Sequence, residues 1–249
     1  MVTAPNVVAL NDGVTRIQCW SGPRNISTAL MYSWRERADT TVVDEPFYAH
    51  YLTIDDRRHP GIDKVLDSQH HDAETVIHDV ILGPSDTAVV YIKQMAHHLK
   101  GVDRSFLAHT ENVLLVRHPR DMLASLSVQL PLCTLADTGL VETVELLDAV
   151  VGQGGTPVVI ETQALLRNPA GVLARVCDRV GVGYDPAMLS WPAGPKPEDG
   201  AWAPYWYESV HRSTGFAQDS HPTRRLPKQT QPVLEQAMPL YERLASYAI

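Results

Sequence analysis

Two stretches of this chain bring cations and hydroxyls together at spacings that suit an anion. The first is W-S-G-P-R-N-I-S-T at residues 20–28. The strand-like stretch 15–20 runs into a Gly-Pro turn there, and Ser27 and Thr28 open the stretch that follows. The first N–H groups of a helix have no intrahelical partner and sit at the positive end of its dipole. Arg24 adds a charge-assisted donor beside them, Asn25 an amide, and Ser27 and Thr28 their hydroxyls. The same pattern also describes an ordinary strand–turn–helix connection with an N-cap serine. The second stretch is V-L-L-V-R-H-P-R-D-M-L-A-S at 113–125. Arg117 ends an apolar strand, Pro119 starts a helix, and Ser125 follows the arginine by eight residues, a placement that suits a phosphate at a sheet crevice.

Proton transfer needs other groups. Glu45 follows a short apolar run and directly precedes Pro46. A carboxylate has a reference pKa of about 4.3, so Glu45 needs upward tuning by burial to act as a base near neutrality. Lys93 closes the apolar run V-V-Y-I, and His97 and His98 lie just beyond it. Adjacent side chains diverge on a helix, so the two histidines are a poor metal pair, and no metal is expected. Glu45 is preferred to His97 as the base, with His98, Asp44 and His50 as weaker neighbours. The aromatic cluster Trp202, Tyr205, Trp206 and Tyr207 either stacks on a flat ligand or anchors its own loop.

The elements that must position these groups alternate. Residues 15–20, 41–43, 87–92, 112–116 and 157–160 read as strands, the last three almost continuously apolar, as in a parallel sheet buried on both faces. Helices are expected at 27–37, 119–129, 141–151, 169–181 and 232–247. Residues 47–72 are polar and His-rich and read as surface helix and loop. Residues 191–205 hold four prolines and two glycines and read as a loop, a candidate lid. The whole reads as α/β: a single domain over residues 1–249 with a central parallel sheet flanked by helices and an irregular C-terminal third.

Charge and cysteine usage narrow the setting. Lys and Arg number 21 against 29 Asp and Glu, a net charge of −8, so the long-range field opposes nucleic acid and anionic membranes. The three cysteines are widely spaced without a CxxC pair, which argues for a reducing, cytoplasmic compartment. The start shows no leader pattern, and no apolar run is long enough to span a membrane.

The 113–125 stretch resembles the 3′-phosphate motif of sulfotransferases that use 3′-phosphoadenosine 5′-phosphosulfate, strand–R-x-P-R-[DE]-x-x-x-S–helix. The loop at 23–28, P-R-N-I-S-T, is similar to that family's 5′-phosphosulfate loop, P-R-[ST]-G-[ST]-T, with Ile26 where the common glycine stands. A third stretch, V-I-E-T-Q-A-L-L-R-N-P at 159–169, loosely resembles the family's Y-E-D-L-L-x-x-P, and the three come in family order. Residues 20–34 and the D-E-P-F-Y-A at 44–49 resemble an uncharacterised sulfotransferase-like subgroup, some of whose members are fused to aminotransferase-like sequences in plants.

The resemblance implies a P-loop-like sulfotransferase fold and transfer of a sulfuryl group to a hydroxyl or amine of a small-molecule acceptor. It implies that Arg24, Asn25, Ser27 and Thr28 hold the 5′-phosphosulfate and that Arg117 and Ser125 hold the 3′-phosphate. Lys93 would aid the leaving group, and Glu45 or His97 would be the base. The C-terminal R-K-G motif of the cytosolic aryl and steroid branch is missing, leaving Arg212, Arg224 and Arg225 as candidates for its arginine. The acceptor pocket is expected from loops at 52–73, 131–140 and 191–228. A homodimer is compatible with the sequence. Two alternatives stay open: a P-loop kinase-like phosphotransferase, disfavoured because no Lys precedes Ser27 and no Walker-B-like Asp is apparent, and a non-catalytic nucleotide-binding protein of the same fold.

Overall fold

Five strands pair in parallel: β1 (Thr15–Ser21), β2 (Thr40–Asp44), β3 (Val89–Met95), β4 (Glu111–Val116) and β5 (Val158–Glu161), in the spatial order β2-β3-β1-β4-β5. The computed structural model describes residues 13–55, 59–216 and 225–249. Parallel neighbours need long crossovers, and helices supply most of them. After β1 comes α1 (Ser27–Arg35). After β2 come α2 (Tyr48–Ile54), α3 (Ile62–Ser68) and α4 (Ala73–Thr75), the last running into a π-helical turn at Val76–Ile81. After β4 come α5 (Pro119–Leu126) and α6 (Leu140–Gly152). After β5 come α7 (Thr162–Arg167), α8 (Pro169–Arg179), α9 (Ala203–Trp206), α10 (Glu208–His211) and α11 (Gln231–Ala245).

The sheet is covered on both faces, which is why the stretches that form β3, β4 and β5 read as near-continuous apolar runs. Ile17 and Cys19 face one layer, where Met31 and Trp34 of α1 and Leu173 of α8 pack. Trp20, Ile92 and Leu114 face the other, against Leu123, Leu147 and Leu244. Each such side chain contributes about 1.5–3 kcal/mol by leaving water. Local signals start the helices: Pro119 and Pro169 open α5 and α8, and the side chains of His118 and Asn168 accept from the N–H groups of Arg120 (3.2 Å) and Gly171 (3.1 Å). The last residues return to the sheet, where Ile249 N–H donates to the Val159 carbonyl at 3.1 Å.

The connection leaving β1 runs to one side of the sheet and the connection leaving β4 to the other. The carboxyl ends of β1 and β4 therefore flank a topological switch point, where open α/β sheets bind ligands.

Four expectations need correction. First, β3 continues through Lys93 and Gln94 to Met95, past the apolar run that ends at Ile92, because its buried polar side chains find partners within the fold. Second, residues 48–52 are not a surface helix: Tyr48, Ala49, Tyr51 and Leu52 of α2 are buried. Third, the proline-rich segment is irregular as expected only up to residue 202, ends in the short helix α9, and is tethered. Tyr32 of α1 donates to Asp199 at 2.7 Å, Arg35 pairs with Glu198 at 2.8 Å, and Gly200 N–H donates to Asp44 at 3.1 Å. Fourth, α1 and α5 stop short of the expected bounds, at Arg35 and Leu126. Among the described residues no helix is long and apolar enough to cross a membrane.

Candidate active site

The loop after β1 is strained and held on several sides. Arg24 and Ile26 both sit in the left-handed region, with φ of 64° and 59°, a conformation that costs a side-chain-bearing residue of order 1–3 kcal/mol. The ties that hold them come from other elements. Arg117 Nη1 donates to the Arg24 carbonyl at 2.9 Å, Asn25 Nδ2 donates to the Leu115 carbonyl at 3.2 Å, and Thr162 Oγ1 donates to the Asn25 carbonyl at 3.2 Å. Ile26, at the N-cap of α1, contributes no side-chain cap, so the N–H groups opening α1 are not covered by one.

Gly22 is required by close approach: a Cβ there would lie 2.2 Å from the Thr138 carbonyl oxygen. Overpacking of this kind costs about 1–3 kcal/mol, so Gly22→Ala is expected to lower the thermal midpoint by roughly 2–12 °C. Differential scanning calorimetry checks this, and an unchanged midpoint would show that the loop gives way freely.

Arg24 Nε donates to Ser125 Oγ at 3.0 Å. The residues read as two separate phosphate sites thus meet in one cluster, with Arg24 linking the loop after β1 to α5. Asn25 is 4% exposed, with its amide N–H engaged by the scaffold.

A second cluster forms where β2 and β3 end. Asp44 and Lys93 are register partners, and Lys93 Nζ donates to Asp44 Oδ1 at 2.9 Å. Glu45 donates its N–H to the Lys93 carbonyl at 2.8 Å and then turns through a left-handed φ of 42°. Its carboxylate also pairs with Lys93 Nζ. The Tyr207 hydroxyl accepts from Lys93 at 2.8 Å and donates to Asp44 Oδ2 at 2.7 Å, while Trp202 Nε1 donates to that hydroxyl at 2.9 Å. Burial pushes the Glu45 carboxyl up to about 7; Lys93 opposes the rise and Asp44 adds to it. Burial works against the Lys93 charge, but Asp44, Glu45 and Tyr207 outweigh it and hold its pKa well above the ordinary lysine value.

His98 does not belong to a partly exposed pair. It is buried in a 3₁₀ turn, stacked on Tyr48 and Tyr51 at 4.6 and 4.8 Å, with Nδ1 3.8 Å from Glu45 Oε2. His97 packs edge-on against it, the ring centroids 4.6 Å apart.

The two clusters line one cavity of about 850 Å³. Arg24, Asn25, Ser27, Thr28, Arg117 and Ser125 form one part of its wall, and Glu45, Lys93 and His97 another. Sequence reading missed Tyr48, His59, Asp121, Asp137 and Gln163, which also line it. No local motif marks them; the D-E-P stretch alone pointed toward Tyr48. The aromatic cluster divides. Trp202 and Tyr207 are buried in the Lys93 network, while Trp206 lines the cavity at 37% exposure. Arg212 is exposed and pairs with Glu208 at 2.8 Å, away from the cavity wall. Arg225 borders a separate hollow with Arg120 and Lys228, and Arg224 lies outside the described residues. Among the described residues, no group of three or more His, Cys, Asp or Glu is arranged to hold a metal ion.

Residues 15–248 match the family model described as Sulfotransferase domain. Two curated relatives from Arabidopsis thaliana, named branched-chain-amino-acid aminotransferase-like proteins 1 and 2, are 38% and 35% identical over 93% and 92% of this chain. The matches cover 42% and 41% of those relatives, so the chain spans about two fifths of their length. Among solved structures, a sulfotransferase from Alicyclobacillus acidocaldarius superposes with a TM-score of 0.55 at 12% identity, covering 93% of this chain and 94% of that one. A sulfotransferase domain from the curacin biosynthetic pathway gives 0.51 at 14% identity, covering 90% and 98%. At such identities the likeness is one of fold, and it matches the five-stranded parallel sheet with its flanking helices. The match over nearly the whole described sheet and site, together with that fold, places the chain in the sulfotransferase family.

Proposed function

We propose that the chain moves a sulfuryl group from 3′-phosphoadenosine 5′-phosphosulfate to a hydroxyl or amine of a small-molecule acceptor. The observation that carries this reading is the union, in one cavity, of a cationic loop at the sheet's switch point and a buried carboxylate whose pKa is raised to about 7. The donor set fits the nucleotide. Two guanidiniums, three hydroxyls and an uncapped helix start suit phosphate and sulfate oxygens better than any cation. In this reading Arg24, Ser27 and Thr28 hold the 5′-phosphosulfate, Arg117 and Ser125 hold the 3′-phosphate, and Asn25 braces the loop between them.

Glu45, as carboxylate, takes the proton of the acceptor O–H or N–H while the new bond to sulfur forms. The bond from sulfur to the 5′-phosphate oxygen breaks, and its electron pair stays on that oxygen, leaving 3′-phosphoadenosine 5′-phosphate. The cations around the loop meet the charge that gathers there. His98 stands beside Glu45 with His97 packed against it, and both line the cavity where the acceptor would approach.

Isothermal calorimetry tests the donor. Binding of 3′-phosphoadenosine 5′-phosphate is expected to be sub-millimolar and to depend on the 3′-phosphate; equal affinity for AMP overturns the reading. Transfer of radiolabelled sulfur from the nucleotide to a panel of phenols, alcohols and amines then identifies the acceptor class.

A further inference from the structure

An ammonium group offers three N–H donors, and each donor of Lys93 has an acceptor. Asp44 Oδ1 takes one at 2.9 Å, the Tyr207 hydroxyl one at 2.8 Å, and Glu45 Oε1 the third. The residue is 1% exposed. The acceptors are themselves fixed. Asp44 Oδ2 also accepts from Tyr207 at 2.7 Å and from Gly200 N–H at 3.1 Å. The Glu45 carbonyl accepts from Gln69 Nε2 at 3.1 Å. For Lys93 to reach a leaving oxygen, one of its bonds must break, and a buried acceptor left without its donor costs about 1–3 kcal/mol, more when it is charged. Across the cavity, Arg24 and Arg117 already stand at the switch point with the opening N–H groups of α1.

We infer that Lys93 is a positioning residue for Glu45, clamped by Asp44 and Tyr207, and that charge on the leaving oxygen is met by Arg24 and the start of α1 instead. The inference rests on the reading of Glu45 as the base. The clamp fixes the carboxylate's orientation beside the cavity and supplies the opposing charge that keeps it ionisable despite burial. The groups around Glu45 come from several elements: Asp44 from β2, Lys93 from β3, His98 with His97 behind it from the 3₁₀ turn, Tyr48 from α2 with His59 hydrogen-bonded to it at 2.8 Å, and Tyr207 from the segment between α9 and α10. Of these groups, Lys93 donates directly to the carboxylate.

Lys93→Met keeps the apolar stem and removes the charge. The oxygen released on transfer is part of 3′-phosphoadenosine 5′-phosphate, so a lysine that meets it would also hold this product. The clamp predicts that calorimetric affinity for that nucleotide stays within about twofold of wild type, while turnover falls. It also predicts that the Glu45 carboxyl, followed by carbon-13 NMR in the free protein, titrates at least about one pH unit higher. An affinity loss of about tenfold or more, the worth of a charge-assisted hydrogen bond, overturns the inference. Should Lys93→Met fail to fold, Tyr207→Phe serves, since it keeps the ring and every charge. Turnover is expected to drop at least about tenfold with nucleotide affinity retained, and full turnover overturns the clamp. A wild-type protein that does not bind the nucleotide, or a Glu45→Gln variant that turns over normally, would instead sink the proposed function, so the two failures are told apart.

Discussion

Glu45→Gln loses turnover by about two to four orders of magnitude, the usual contribution of a general base, while nucleotide affinity stays within about twofold. The substitution keeps the volume of the side chain and one acceptor for Lys93, so the clamp and the cavity wall survive. What it removes is the ability to accept a proton. The same assignment fixes the shape of the pH profile. The Glu45 carboxyl is raised to about 7, chiefly by burial. Below that value the group is protonated and cannot act as base, so kcat/KM of the wild type rises about tenfold per pH unit up to about pH 7 and then levels. In Glu45→Gln that acid limb disappears from the residual activity. His97→Ala is the counter-experiment: loss of turnover there, with Glu45→Gln active, transfers the base to the histidine.

Arg117→Ala weakens binding of 3′-phosphoadenosine 5′-phosphate by roughly tenfold to a hundredfold, the range for a lost charged hydrogen bond. Two effects combine. The guanidinium's charge leaves the switch point, and the Arg24 carbonyl loses the donor that braces the strained loop at 2.9 Å. The first effect is specific to the 3′-phosphate and the second is not. Affinity for AMP is therefore expected to fall less than affinity for the bisphosphate, and the gap between them measures the direct contact. Equal losses for both nucleotides would reduce Arg117 to a brace. The bisphosphate's affinity should also fall more steeply with salt than that of AMP, because more negative charge is neutralised on binding.

The sheet was legible because a strand buried on both faces leaves a run of apolar residues, and three of the five strands here, at 87–92, 112–116 and 157–160, carry one. The anion loop was legible for a related reason: its groups lie within one contiguous turn. The second cluster was only half legible. Glu45 and Lys93 stand out as charges beside apolar runs, yet their contact depends on the parallel register that sets Asp44 against Lys93. Tyr207 could not be assigned, since it meets Lys93 across 114 residues of chain and its neighbours Tyr205 and Trp206 look equally suitable. Likewise nothing local announces that Arg24 reaches Ser125 across 101 residues and fuses two apparent phosphate sites. Reading β3 as ending with its apolar run at Ile92 failed because buried polar side chains continue a strand when partners await them.

A sheet with no hairpins has a kinetic corollary. Register partners in the central pair, Ser21 and Met95, are 74 residues apart, so β1 gains no strand partner until a large loop has closed. The tie from Tyr207 to Asp44 spans 163 residues, longer than any strand pairing. Since closing each loop must precede the contacts that reward it, the clamp belongs among the last contacts to form. A chain folded only as far as residue 161 can hold all five strands and the lysine–carboxylate contacts their register sets, and still lack the tyrosine that clamps them.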